Sequence, residues 1–175
     1  MASTEVDTNL YSRQIGTYGM EVMGKLVQMR VLIVGMRGLG LEAAKNIILA
    51  GPHSVTIHDD ITASMSDLSA NFYIKTEDVG LKTRAEASLP MLQELNNYVN
   101  VTSHSGDLDE NFISQFNVVV LTESTQEENS RINNICRENG IGFISSEAWG
   151  VTGHIFVDFG PEFTVLDKDG NPNIS

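Results

Sequence analysis

Cysteine is almost missing from this chain. Cys136 is the single one in 175 residues, so no internal disulfide can form. Basic residues are scarce as well: 11 Lys and Arg stand against 23 Asp and Glu, and the formal net charge of −12 repels nucleic acid and anionic membrane surfaces. No apolar run approaches the roughly 20 residues of a membrane span, and residues 1–8 are polar and acidic, without the basic flank and apolar stretch of a secretory leader. A reducing, intracellular setting is the expectation. The four histidines, His53, His58, His104 and His154, show no H-x-x-x-H spacing and there is no C-x-x-C, so no metal site is expected. No G-x-S-x-G nucleophile elbow occurs. Cys136 falls on the apolar side of a helical stretch, where cysteine packs as a small hydrophobe rather than acting as a thiolate.

What the chain has instead is one well-marked unit over residues 29–50, M-R-V-L-I-V-G-M-R-G-L-G-L-E-A-A-K-N-I-I-L-A. Residues 31–34 are a short apolar run, Gly35, Gly38 and Gly40 make a turn, and Leu39, Ala43, Ala44, Ile47 and Ile48 then recur at helical spacing. A buried strand, a tight loop and a helix follow in that order. Such a unit directs the helix N-terminus and several backbone N–H groups at one point past the strand, where a phosphate can be held. The dinucleotide fingerprint G-x-G-x-x-G needs glycine steps of two and then three residues, whereas here the steps are three and then two. The loop has the position of a nucleotide site without its pattern. Asp59, about twenty residues past the loop, stands where such folds hold a ribose, and it fits equally a carboxylate that caps the turn.

The rest of the chain alternates. Residues 1–9 read as a mobile tail, and residues 10–29 as two short helices broken near Gly16 and Gly19 and packed on the body. Gly51 and Pro52 close the central helix, residues 54–58 form a second strand, residues 81–98 a helix in which Pro90 marks a kink or break, residues 100–104 a third strand, residues 117–121 a fourth, and residues 126–139 a helix. Three strand-like runs at residues 140–145, 152–159 and 162–166 have no helix between them, so a parallel start finishes with antiparallel strands. Residues 167–175 have turn or linker composition. The expected fold is α/β, Rossmann-like and doubly wound, in one domain over residues 10–166.

These residues carry a resemblance. Tyr11-Ser12-Arg13-Gln14-Ile15, the stretch G-M-R-G-L-G-L-E-A-A-K-N-I-I-L-A-G, the H-D at Asp59, D-L-S-A-N-F-Y-I from Asp67 and L-K-T-R-A-E from Leu81 resemble the adenylating enzymes that activate ubiquitin and ubiquitin-like proteins. The likeness covers essentially the whole chain. Within the family it is nearest to the non-catalytic adenylation half of ubiquitin-activating enzymes, because Val157-Asp158-Phe159-Gly160 and the turn with Asp169-Gly170-Asn171 resemble that half as well. The resemblance then implies that residues 167–175 lead into a following half-domain.

Active halves carry G-x-G-G-x-G, D-x-D and N-x-N-R-Q-F. This chain has Arg37 at the third loop position, Ile61 for the second acid, and Ser69 and Ala70 for the asparagine and arginine. A magnesium-binding aspartate after the fourth strand is replaced by Leu121-Thr122-Glu123-Ser124. Lys82 matches the family's pocket lysine and Asp59 its ribose acid, so Gly35, Arg37, Gly38, Gly40, Asp59 and Lys82 outline a degenerate nucleotide pocket, in which Arg37 reads as a plug, the favoured role, or as a cation that attracts an anion at the helix N-terminus. The resemblance further implies that Arg13 reaches in trans to ATP in an active half, that ATP and Mg2+ bind there and not in this domain, and that ubiquitin and ubiquitin-conjugating enzymes meet the rest of the chain in cytoplasm and nucleus. No nucleic-acid or membrane partner is expected. Rival readings are the non-catalytic subunit of a SUMO- or NEDD8-activating enzyme, and a free-standing nucleotide-dependent oxidoreductase.

Overall fold

Val31, Leu32 and Ile33 are all buried, and this run sits at the centre of a sheet covered on both faces. The computed structural model describes residues 6–163. Its six strands are β1 (Arg30–Val34), β2 (Ser54–His58), β3 (Asn100–His104), β4 (Val118–Thr122), β5 (Gly142–Trp149) and β6 (Thr152–Asp158), in the order β3-β2-β1-β4-β5-β6. The first five are parallel, and β6 returns antiparallel along β5. The helices are α1 (Ser12–Leu26), α2 (Gly38–Ala50), α3 (Arg84–Gln93), α4 (Glu110–Ile113) and α5 (Gln126–Glu138).

Alternation along β1 divides the core. Val31 and Ile33 pack with Leu41, Ala44 and Ile48 of α2 and Leu92 of α3, while Leu32 packs with Ile113 of α4 and Ile132 and Cys136 of α5. The chain steps from β1 outward to β3, then crosses back to β4 on the other side of β1. The strand order therefore reverses between β1 and β4, and a crevice opens at their carboxyl ends.

Several expectations are corrected. The N-terminal segment breaks only at Gly19 (φ 81°, ψ 161°), and Gly16 continues the helix. The third helix is shorter than residues 81–98: it starts only at Arg84 because Thr83 caps it, Thr83 Oγ1 accepting the Glu86 N–H at 3.1 Å and Glu86 accepting the Thr83 N–H at 2.8 Å, and it ends at Gln93. Pro90 neither ends nor splits it, since the ring and the carbonyl it displaces at Glu86 both belong to exposed positions. Gly51 closes α2 in the left-handed conformation, as expected. The antiparallel finish is the β5–β6 hairpin. Of the last strand-like run, Glu162 and Phe163 are not in a strand, and the remainder, with residues 167–175 and most of the tail, lies outside the described residues.

Candidate functional site

The glycine loop occupies the crevice, and its spacing answers to packing. Gly35 leaves β1 at φ 92°, with its N–H on the His58 carbonyl at 2.8 Å. A Cβ at Gly40 would collide with the Gly35 carbonyl and stand 2.8 Å from the Thr122 hydroxyl. Helix α2 can thus start hard against β1 and β4 only with glycine there. Thr122 Oγ1 donates to the Val34 and Gly35 carbonyls at 3.0 and 3.2 Å and fixes the turn from the β4 side.

The outer side of the loop is covered. A Cβ on Gly38 would meet the Ala70 carbonyl at 3.2 Å and the Ala70 methyl at 3.5 Å. Buried Asn71 holds this cover down: its Nδ2 donates to the Met36 carbonyl at 2.7 Å and to Ser88 at 2.8 Å, and its Oδ1 accepts the Tyr73 N–H at 3.0 Å.

Five charged side chains close the crevice. Asp59, nearly buried, has both oxygens engaged, Oδ2 by the Met36 N–H at 2.8 Å and Oδ1 by the Ile61 N–H at 3.0 Å. Asp67 has no exposed surface, and its Oδ1 forms ion pairs with Arg84 Nε at 3.0 Å and Arg37 Nε at 3.4 Å, neither aligned as a hydrogen bond. Arg84 also approaches Asp59 at 3.5 Å, and Arg37 approaches Glu123 at 3.7 Å. Glu123 follows β4 in the left-handed region, φ 55°, which a side chain rarely adopts. Burial pushes its carboxyl above the usual range, against the pull of Arg37 and Arg84. At Asp67 burial pushes the same way, but hydrogen bonds from the Ser64 hydroxyl and N–H, together with the charge of the Arg84 guanidinium, outweigh it, and the carboxyl is held below its ordinary value.

The structure thus gathers Gly35, Arg37, Gly38, Gly40 and Asp59, and it sets two candidates apart. Half-exposed Lys82 pairs with the buried Asp78 at 2.7 Å, and Arg84, two residues on, is the cation that enters the crevice. Arg13 is exposed on the first turn of α1 and makes no ion pair among the described residues. Its neighbour Tyr11 is buried against Gly51 at the end of α2, where a Cβ would run into the phenol ring. That docking fixes where Arg13 leaves the body. Asp67, Arg84 and Glu123 lay inside the motifs compared above, yet their pairing spans the loop, the short 3-10 turn Asp67–Ser69 and two element ends, which no local spacing reveals. No trio of His, Cys, Asp or Glu able to hold a metal gathers among the described residues.

The loop at a sheet reversal, with a helix starting directly from it, is the geometry on which family comparison bears. A ThiF family profile matches residues 11–169. The chain belongs to the ThiF family. Among curated relatives, ubiquitin-activating enzyme E1 2 of Arabidopsis thaliana is 49% identical over 168 residues, 95% of this chain and 16% of that protein. Ubiquitin-like modifier-activating enzyme 1 of Oryctolagus cuniculus is 46% identical over 174 residues, 99% of this chain and 16% of that protein. The human enzyme of that name is 45% identical over the same length. The chain therefore spans about one sixth of the length of these relatives.

A second surface belongs to this ThiF domain. On the α2 side of the hairpin, Ile144 pairs with Val157 and Ser146 with Ile155, so these side chains share a face. Ile155 is 72% exposed and Val157 48%. The face runs into a wholly apolar groove of about 240 Å³ lined by Leu26, Ile47, Val118, Val120, Ile144 and Phe159, among others. No helix among the described residues is long and apolar enough to cross a membrane.

Proposed function

We propose that this domain is the non-catalytic adenylation half of a ubiquitin-activating enzyme, and that it pairs with an active half to which it supplies Arg13 in trans. One observation carries the reading: the crevice in which a Rossmann-like fold binds nucleotide is filled by the chain's own side chains. ATP with magnesium does not fit the residues present. Arg37 stands where a bare backbone must approach phosphate, Ala70 lies over Gly38, and the Asp59 oxygens that would meet a ribose are spent on backbone N–H groups. The two arginines that enter the crevice are matched by Asp59, Asp67 and Glu123, which leaves no net positive charge for a polyphosphate.

Pairing is supported by the apolar face along β6, which a soluble domain of this charge would not leave bare without a partner. Arg13 is supported by its motif, by a guanidinium that makes no ion pair among the described residues and by the Tyr11 anchor that holds its base. ATP and Mg2+ then belong to the active half, and ubiquitin and its conjugating enzymes to other parts of the enzyme, in cytoplasm and nucleus. The test of the filled crevice is calorimetric titration of this chain with ATP plus magnesium and, separately, with NAD. The reading requires no measurable heat of binding; low-micromolar affinity for either nucleotide overturns it.

A further inference from the structure

From residue 6 to residue 22 the fold buries Tyr11 alone. Its ring lies on Gly51, the residue that closes α2 in the left-handed conformation at φ 88°. A Cβ there would stand 2.8 Å from the ring Cζ and 2.9 Å from Cε1, and nearer still to the phenol oxygen, so the ring fits only because residue 51 is glycine. The contact lies at the end of α2 away from the glycine loop, about 20 Å along the helix. It is no part of the filled crevice.

The ring is tied directly to the turn that carries Arg13. The Tyr11 carbonyl accepts the Ile15 N–H at 2.8 Å and the Arg13 carbonyl accepts the Thr17 hydroxyl at 3.0 Å, so Arg13 stands in the first turn of α1, just past the anchor. Ahead of the ring, the Asp7 carbonyl accepts the Tyr11 N–H at 3.0 Å, and Asp7 Oδ1 accepts the Asn9 and Leu10 N–H groups at 2.9 and 3.0 Å. Behind it, the break at Gly19 uncouples residues 12–18 from the second half of α1, whose Met23 is fully buried. A helical piece that short does not hold itself in water. The direction of the Arg13 turn therefore depends on the Tyr11 ring.

We propose that Tyr11, seated on Gly51, is a positioning residue that aims Arg13 at the active half. The proposal rests on the trans role of Arg13 proposed above, and it adds the device by which a guanidinium on a short exposed helix is held to one place. Such aim matters, because a misplacement of about 1 Å can cost a factor of roughly 10² in rate. Tyr11 acts through Arg13 alone.

The test is ATP–pyrophosphate exchange at saturating ubiquitin in the full-length enzyme, with the ATP concentration varied and a melting curve for every variant. Tyr11→Leu should lower turnover roughly 10- to 100-fold at an unchanged KM for ATP, since the interaction it misplaces is made in the transition state. Tyr11→Phe, which keeps the ring, should restore most of the rate. Should Tyr11→Leu fail to fold, Gly51→Ala leaves the tyrosine in place, sets a methyl under its ring and should reproduce the loss. In an Arg13→Ala background neither substitution should slow exchange further. Arg13→Ala at the parental rate would remove the trans arginine and this proposal with it. A slow Arg13→Ala beside Tyr11→Leu and Gly51→Ala at parental turnover would overturn the positioning role alone, and so would an equal loss from Tyr11→Leu with and without Arg13.

Discussion

Arg84 Nε lies 3.0 Å from Asp67 Oδ1, and that carboxylate has no exposed surface. The pair ties the start of α3 to the turn that covers the glycine loop, and Arg37 joins it from the loop itself. Removing one partner of a buried pair strands the other in low dielectric, at a cost of about 3–5 kcal/mol. Arg84→Ala should accordingly lower the urea midpoint of unfolding more than Lys82→Ala, because Lys82 is half-exposed and its partner Asp78 keeps the Lys75 N–H when the lysine is removed. Equal midpoints for the two variants would remove the buried pair from the account of the crevice.

The raised carboxyl of Glu123 has a sign that can be checked. A folded-state value above the unfolded one means that the fold prefers the protonated acid, so its contribution is most favourable below the ordinary value of 4.5 and is lost as pH rises through the folded value. Glu123→Gln should therefore be more stable than the parent at pH 7, with the advantage fading as pH falls toward 4.5. Asp67 runs the other way: its lowered value gives stability above 3.8 that is lost on further acidification. Thermal melts of parent and variant across this range decide, and a Gln variant less stable at neutral pH would contradict the assignment.

The sequence made the sheet legible where burial on both faces demands a continuous apolar run, as in β1 and β4, and the loop legible because glycine alone tolerates the approach of Gly40 to Gly35. It misjudged elements whose limits are set by single side chains. The Thr83–Glu86 cap delayed the start of α3, and solvent exposure let Pro90 stay within it. Of the crevice, Arg37 and Asp59 stood out by position. The Asp67, Arg84 and Glu123 contacts did not, because they join residues 17 to 86 positions apart and only the folded crevice brings them together.

Opening the plug alone should not recreate a nucleotide site. In Arg37→Gly the Ala70 cover and the backbone bonds of Asp59 persist, and no cation replaces the missing one at position 70. Titration of this variant with ATP and magnesium should remain flat. Low-micromolar binding would mean that Arg37 was the sole obstruction.

The apolar face predicts where pairing can be broken. Val157→Lys places a charge at the centre of the exposed β5–β6 face without touching the buried core, so folding should persist while affinity for the active half falls roughly tenfold or more. Sedimentation of the mixed halves measures this. Unchanged affinity in a folded variant would move the interface elsewhere.

The central claim is that a domain with a filled crevice still acts, through Arg13, on chemistry in its partner. A guanidinium beside developing phosphate charge contributes factors of roughly 10³ or more, and lysine, a point charge without the planar fork, restores only part of that. The direct measurement is ATP–pyrophosphate exchange at saturating ubiquitin in the full-length enzyme carrying Arg13→Ala, with a melting curve alongside. The account predicts a loss of that order at an unchanged melting temperature and partial rescue by Arg13→Lys; exchange at the parental rate in the well-folded Ala variant would contradict it.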